Sequence, residues 1–239
     1  MMKICDLHTH VLPGVDDGAP TMEYALQMLE NAVASDVTML AVTPHCGGSC
    51  GNYLDGDLQQ RFSRLQQAAA DLPVELVLGA EVWADAQLPH ALAQGKLPTI
   101  HRSRYLLTEF AADSTPEDFA TALESILKQG YVPLIAHPER YAAVCKRPET
   151  VLQWLDMGCH LQLTGSSILG EHGKTVQQTA AVLLKNDLVA CVASDAHGLH
   201  SRSNYLLDVY DHLVVRYNRQ FAACLMYENP MAICSNGVL

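Results

Sequence analysis

Seven short apolar runs, at residues 4–7, 38–43, 75–80, 105–109, 132–136, 160–163 and 188–193, constrain any fold this chain can adopt. They are near-continuously apolar rather than alternating, as parallel strands covered on both faces are. Helix-spaced patterns fill the intervals. Met22, Ala25, Leu29, Ala32 and Val33 follow Pro20-Thr21, which reads as a helix N-cap. Leu58, Phe62, Leu65 and Ala69 repeat at helical spacing, as do Phe119, Ala122, Leu123, Ile126 and Leu127. Residues 151–157, 175–185 and 205–219 read as further helices. No linker, low-complexity tract or charge block divides the sequence, so residues 1–239 are expected to form a single domain. Strand–helix alternation on this scale fits either a doubly wound sheet or a closed β/α barrel.

The polar residues choose between these. His8 and His10, His45, Glu81, Glu109, His137, and Asp195 with His197 each stand at or just past the C-terminal end of a strand-like run. In a β/α barrel those ends meet at one mouth, where active sites are built. A distorted TIM-like α/β barrel of seven strands is therefore expected. His8 and His10 share one side of their strand because strand side chains repeat every second residue. Glu81 closes the run Val77-Leu78-Gly79-Ala80, where an unpaired carboxylate is costly to bury. Taken singly, each histidine reads as a hydrogen-bonded structural residue and each glutamate as half of a salt bridge. Together they form the donor set that a divalent cation takes.

Composition removes other classes. Lys and Arg number 15 against 26 Asp and Glu, a formal charge of -11, which lacks the basic footprint of a nucleic-acid binder. Hydrophobic residues make up 49% and charged residues 17%, ample for a buried core. No signal-peptide core opens the chain and no apolar run approaches a membrane span, so cytoplasmic residence without membrane insertion is expected. Cys5, Cys159 and Cys191 lie in apolar runs and read as buried reduced thiols. Cys46 and Cys50 flank a glycine-rich loop beside His45, but a lone C-x3-C lacks the second half of a zinc site. No Cys-x5-Arg loop is present, which leaves a cysteine-based phosphatase mechanism unsupported.

The ordered motifs His8-Thr9-His10, Val15-Asp16-Asp17-Gly18, Thr43-Pro44-His45, Glu81, Leu107-Thr108-Glu109-Phe110, Ala136-His137-Pro138-Glu139-Arg140-Tyr141 and Ser194-Asp195-Ala196-His197 carry a resemblance. They resemble the polymerase-and-histidinol-phosphatase (PHP) family, and more narrowly its bacterial protein-tyrosine phosphatase branch, which accompanies capsular or exopolysaccharide synthesis. The resemblance runs from residue 3 to about 202. It implies a distorted seven-stranded barrel holding three divalent metals, most often Mn2+, with Fe, Zn or Mg as alternatives. Carried over by position, His8, His10, Glu81 and Asp195 would hold one metal. Glu109 and His137 would hold a second and share Glu81 as a bridge. Asp17, His45 and His197 would hold the third. Asp17 is preferred over Asp16, whose plainer reading is a turn residue.

Four carboxylates (Asp17, Glu81, Glu109, Asp195) facing three such dications leave about two excess positive charges, which suits a phosphomonoester dianion. Clustered metals also lower the pKa of water from ~16 toward ~7 and polarise phosphoryl oxygens. Arg140 and Arg202 are expected to fork onto those oxygens, with a surface salt bridge as their plain alternative.

The resemblance thus implies a metal-dependent phosphatase acting on phosphotyrosine in protein, with the tyrosine-rich tail of a bacterial tyrosine kinase as partner. Tyrosine has a pKa near ~10, so its phenolate leaves without a strong general acid. A small-molecule phosphatase of the histidinol-phosphate type, a metal-dependent amidohydrolase and a non-catalytic metal-bound regulator stand as alternatives. Assembly into a homo-oligomer is left open. The chain departs from the family's pattern at Cys46–Tyr53, at Leu163-Thr164-Gly165-Ser166, and in Leu169-Gly170-Glu171-His172-Gly173-Lys174, which keeps the glycines and lysine around an altered centre. His90, His101, His160, His172, His200 and His212 are read as surface or structural residues.

Overall fold

The computed structural model describes residues 2–48, 57–95 and 97–239. The Cys46–Cys50 reading therefore falls partly outside the described residues. In chain order the strands are β1 (Ile4–Thr9), β2 (Val37–Val42), β3 (His45–Cys46), β4 (Glu75–Leu78), β5 (Glu81–Trp83), β6 (Tyr105–Glu109), β7 (Val132–Ala136), β8 (His160–Thr164) and β9 (Cys191–Ala193). Every pairing is parallel, in two sheets ordered β1-β2-β4 and β3-β5-β6-β7-β8-β9. Except between β2 and β3 and between β4 and β5, helices separate successive strands, among them α1 (Met22–Ala34), α2 (Leu58–Ala68), α3 (Leu88–Ala93) and α4 (Pro116–Lys128). Thr21 caps α1 by accepting the Tyr24 amide, and Thr115 with Asp118 forms a reciprocal capping box on α4. No helix among the described residues is long and apolar enough to cross a membrane.

Two of the seven expected strands are each split in two. The run 38–43 continues past Pro44 as β3, and 75–80 passes Gly79 to become β5. Pro44 has no amide to donate to a ladder. At Gly79, a Cβ would come within 2.8 Å of Ile100 Cδ1 and 3.2 Å of Thr43 Cγ2, so the turn Ile100–Arg102 packs tightly there. The halves stay adjacent through Gly79 N–H to Val42 O (2.9 Å) and Glu81 N–H to Pro44 O (3.0 Å). The chain's two ends also meet. Thr9 bridges Ala196 in parallel, the His10 amide donates to Ala196 O at 2.9 Å, and the Asp195 amide donates to His8 O at 2.8 Å.

A bulge in β1 aims the first two histidines. Asp6 pairs with Leu40 and Thr9 with Val42, so three steps on β1 match two on β2. Cys5, before the bulge, and Leu7, at its start, belong to a small apolar cluster with Met39 and Ala41. The extra residue inverts the phase, so that even-numbered His8 and His10 turn to the side Cys5 and Leu7 faced. Fully buried Asp6 holds this distortion: its Oδ1 accepts the His8 amide at 3.3 Å and the Ser194 amide at 2.9 Å.

After β9 the chain forms the expected helix, shorter than 205–219, as α9 (Leu207–Arg216), with α5 (Ala142–Lys146), α6 (Val151–Asp156), α7 (Gly165–Leu169) and α8 (Lys174–Lys185) preceding it. It then turns at Asn218 into α10 (Arg219–Ala223), a π turn and α11 (Asn229–Cys234). This last segment carried no sequence motif, yet it closes the end of the strands opposite the histidines. Ile233 and Cys234 pack into the small cluster with Cys5, Tyr105 and Cys191, and the Tyr105 hydroxyl donates to Gly237 O at 2.8 Å. Cys5, Cys159 and Cys191 are buried free thiols, as expected. Ile233→Ala, which empties a fully buried site, is expected to cost about 2–4 kcal/mol in urea unfolding. Val215→Ala, at a residue 88% exposed, should stay within about 0.5 kcal/mol. Equal costs for the two would remove the C-terminal segment from the core.

Candidate metal centre

All eleven residues singled out in the sequence converge on the C-terminal ends of the strands. β1 delivers His8 and, just past its end, His10. β3 delivers His45, β5 Glu81 and β6 Glu109, while His137, Asp195 and His197 follow β7 and β9. Asp17 comes from the loop after β1. That loop folds back because Ala19 N–H donates to His10 O at 2.9 Å, and a Cβ on Gly18 would collide with the same carbonyl.

Among the described residues, three groups of donor atoms could each hold an ion: His8, His10, Glu81 and Asp195; His10, Asp17, His45 and His197; and His45, Glu81 and Glu109. The first is wholly buried. His137 adjoins the third, its Nε2 lying 3.0 Å from Glu81 Oε1 and 3.6 Å from Glu109 Oε1. His45 faces two ways, with Nδ1 3.1 Å from Glu81 and Nε2 3.4 Å from Asp17. Asp17, 62% exposed, forms the outer rim and also lies 3.3 Å from His197 Nε2.

The donor geometry fits cations. Glu81 Oε2 is buried without a hydrogen-bond partner, although His8 Nε2 (3.2 Å), His10 Nε2 (3.2 Å) and His45 Nδ1 (3.1 Å) surround it. Glu109 Oε2 and His197 Nε2 are likewise buried and unpartnered. The His8 and His10 Nε2 atoms approach each other to 3.2 Å. Such convergence of lone pairs is unfavourable unless positive charge lies among them. With protons as the only cations, the site draws them in. Burial opposes charge on His8, but Glu81 and Asp195 overcome it and lift the imidazole to about 9. Burial likewise opposes charge on His45, and Glu81 with Glu109 carries it to about 9. Burial, followed by the Glu81 charge, raises Glu109. Burial and the charge on His10 push His197 down to about 3.

Residues behind the donors fix which nitrogens face inward. Asp16 Oδ2 lies 2.8 Å from His10 Nδ1 and accepts the His45 amide at 3.0 Å, while its Oδ1 accepts the Gly18 amide at 3.0 Å. Asp16 is thus the expected turn residue and also the partner that leaves His10 Nε2 free. Gln162 Oε1 does the same for His8, 2.8 Å from Nδ1. Gln162 was missed in the sequence, although a glutamine inside the apolar run 160–163 is the same signal that marked Glu81.

The two arginines meet on Asp195 rather than at the surface. Arg140 Nη1 donates to its Oδ2 at 2.7 Å, and Arg202 Nη2 lies 3.1 Å from both oxygens. Burial opposes charge on Asp195, yet His8, His137 and Arg140 hold its carboxyl far below the usual range. His137 (φ 35°), Asp195 (φ 53°) and Arg202 (φ 49°) all adopt left-handed backbone. Non-glycine residues rarely do so, and such strain gathers where a site dictates the conformation.

Comparison with known proteins agrees with this geometry. A family model described as capsular polysaccharide synthesis, CpsB/CapC, matches residues 4–235. The chain is 31% identical over 235 residues to the tyrosine-protein phosphatase CpsB of Streptococcus pneumoniae, covering 95% of this chain and 97% of that protein. It is 28% identical over 200 residues to the tyrosine-protein phosphatase YwqE of Bacillus subtilis, covering 83% and 79%. A solved structure from work on YwqE and CpsB, described as metal-dependent tyrosine phosphatases, superposes with a TM-score of 0.91 at 25% identity over 99% of this chain and 96% of that one. A lactonase of Listeria monocytogenes shares the fold alone, with a TM-score of 0.65 at 8% identity over 97% of this chain and 94% of that one.

Two expectations follow from the residues behind the donors. Asp16→Ala, which frees the His10 ring, should weaken metal affinity about 10–100-fold in a metal titration, and an unchanged affinity would contradict that role. Burial raises Asp6 to about 6 despite its amide partners. Between pH 4 and 6 the folded chain therefore keeps a proton that the unfolded chain has released. This group's contribution to stability is largest below that window and falls as pH rises through it, by on the order of 3 kcal/mol. The unfolding free energy of Asp6→Asn minus that of the parent should accordingly rise from pH 4 to 6, and a flat difference would show that Asp6 stays ionised.

Proposed function

The chain belongs to the capsular polysaccharide synthesis family CpsB/CapC, and on that premise we propose that it is a metal-dependent protein-tyrosine phosphatase, as its relatives are named. The observation that carries this reading is Glu81 Oε2, buried among three imidazole nitrogens and bonded to none of them.

Three divalent ions, Mn2+ foremost, suit the three donor groups. His8, His10, Glu81 and Asp195 would hold one. Glu81, Glu109 and His137 would hold the second, which would leave His45 Nε2 free to join Asp17 and His197 around the third. When bound, such ions polarise phosphoryl oxygens and lower the pKa of water. The chain's own residues do the rest. Asp16 and Gln162 keep His10 and His8 in the tautomer that presents Nε2. Arg140 and Arg202 lie against Asp195 with further N–H groups to offer a phosphoryl group at the mouth, where they fix its orientation and offset charge as it develops. The tyrosine phenolate leaves with little need of a proton donor.

The substrate is a phosphotyrosine-bearing protein, and the tyrosine-rich tail of a bacterial tyrosine kinase in polysaccharide synthesis is the partner that the family implies. The enzyme acts in the cytoplasm, and a homo-oligomer is compatible with it. The two parallel sheets are read as one distorted seven-strand barrel spanning residues 1–239. The Thr9–Ala196 bridge and the bonds across Pro44 and Gly79 support that reading.

Purified protein should release phosphate from a phosphotyrosyl peptide with manganese present, and a chelator should abolish the release. Glu81→Gln should lose both metal and more than about 100-fold of the rate. Preference for histidinol phosphate would move the reading to a small-molecule phosphatase. Absence of turnover with metal bound would leave the non-catalytic regulator.

A further inference from the structure

His172 lies outside the metal-ligand set and was read from sequence as a surface or structural histidine. It sits in the short connection between α7 and α8. The structure brings it to the site. Its Nε2 is 3.0 Å from Arg140 Nη2 and 2.9 Å from Ser166 Oγ. A guanidinium has donors and no acceptor, so the nitrogen facing Arg140 must carry a lone pair. The imidazole proton therefore resides on Nδ1, and the Ser166 hydroxyl also donates to Nε2. Burial, reinforced by Arg140 and Arg202, pushes the imidazole down to about 4, which keeps that acceptor available at neutral pH.

Arg140 is thus held at two points. Nη1 donates to Asp195 and Nη2 donates to His172. A guanidinium held only at Asp195 could pivot about that bond, whereas two anchors define its plane. The remaining N–H directions are then set before a phosphoryl group arrives, and pre-set donors are worth most in transition-state binding. Arg140 starts from a short turn (Pro138–Arg140) that follows left-handed His137. Glu139 in that turn is fully buried and accepts the Thr164 amide at 3.0 Å. The backbone on both sides of the Arg140–His172 contact is therefore anchored to the same strand end, since Ser166 follows Thr164 at the start of α7.

We propose that His172, backed by Ser166, is the positioning residue that fixes the Arg140 guanidinium for phosphoryl binding. The assignment of Arg140 to phosphate rests on the function proposed above. The contact itself does not, so the test reads phosphate binding as well as turnover.

The affinity of the metal-loaded full chain for inorganic phosphate, and kcat and KM on a phosphotyrosyl peptide, are measured for the parent, His172→Leu, His172→Gln, Arg140→Lys and the His172→Leu/Arg140→Lys pair. Metal content and Tm are recorded for each. His172→Leu should weaken phosphate affinity and kcat/KM on the order of tenfold with metal content unchanged, the scale of one hydrogen bond to a charged group. His172→Gln, which restores an acceptor, should recover most of the loss. In the Arg140→Lys background the leucine substitution should add almost nothing, since the two act through one contact. Full additivity, or parent-like binding by His172→Leu, overturns the proposal. Should His172→Leu lose metal or fold poorly, the glutamine variant decides: parent-like phosphate affinity for it supports the acceptor role, and a tenfold loss overturns it. A parent that binds phosphate but releases none from peptide sinks the phosphatase reading and leaves the His172 test intact. One that binds no phosphate overturns both.

Discussion

A carboxylate oxygen at the bottom of the mouth, Glu81 Oε2, is met by nitrogens from three different histidines within 3.2 Å and bonds to none of them. Two of those histidines lie on β1 or at its end and the third on β3, while Glu81 begins β5. Neutral imidazoles in this arrangement place lone pairs against a negative oxygen in a dry setting, which protein interiors do not tolerate uncompensated. Protons relieve it partly, at the expense of raised imidazole pKa values. Divalent cations would relieve it fully, because each donor would then have a partner and the carboxylate charge would be balanced in place. The strand ends, the loop after β1 and both arginines are arranged around that requirement.

The scaffold meets this demand by local irregularity rather than by regular strands. The bulge in β1 turns His8 and His10 inward, and the buried Asp6 carboxylate takes the two amides nearest the distortion. Breaks at Pro44 and Gly79 let β3 and β5 begin afresh and present His45 and Glu81 at the same level, where they pair in register. Left-handed backbone at His137, Asp195 and Arg202 redirects three side chains toward one point. Each departure costs stability, and the continuous apolar packing beneath, sealed by α11, offsets it. Fold and site are therefore one construction: the regular parts supply the free energy that the irregular parts use.

The sequence revealed the parts of this that depend on composition and periodicity. Apolar runs located the strands, and donor residues at their ends located the mouth. That His8, His10, His45, Glu81, Glu109, His137, Asp195 and His197 gather at one end follows from topology once the strands are parallel, whereas their aim, and the arrival of Asp17 from the loop after β1, depend on the local irregularities. What escaped notice depends on contacts between segments far apart in the chain. Nothing near Asp16 shows that it will accept from His10. A separation of 154 positions along the chain conceals the bond between His8 and Gln162. His172 looks like any loop histidine until α7 places it beside Arg140. The β1 bulge is invisible because nothing in the sequence of β1 shows which residue of β2 each of its residues pairs with. The C-terminal helices were missed for another reason: α10, the π turn and α11 bury residues on several sides, so no single stripe marks them.

The central claim, that Glu81 is the shared ligand of neighbouring cations, is tested most directly by anomalous diffraction from crystals of the manganese-loaded protein. The account predicts anomalous peaks at coordination distance from both carboxylate oxygens of Glu81, one shared with His8, His10 and Asp195 and another with Glu109 and His137. Well-ordered Glu81 without a peak beside it, in crystals whose protein binds manganese in solution, would contradict the account.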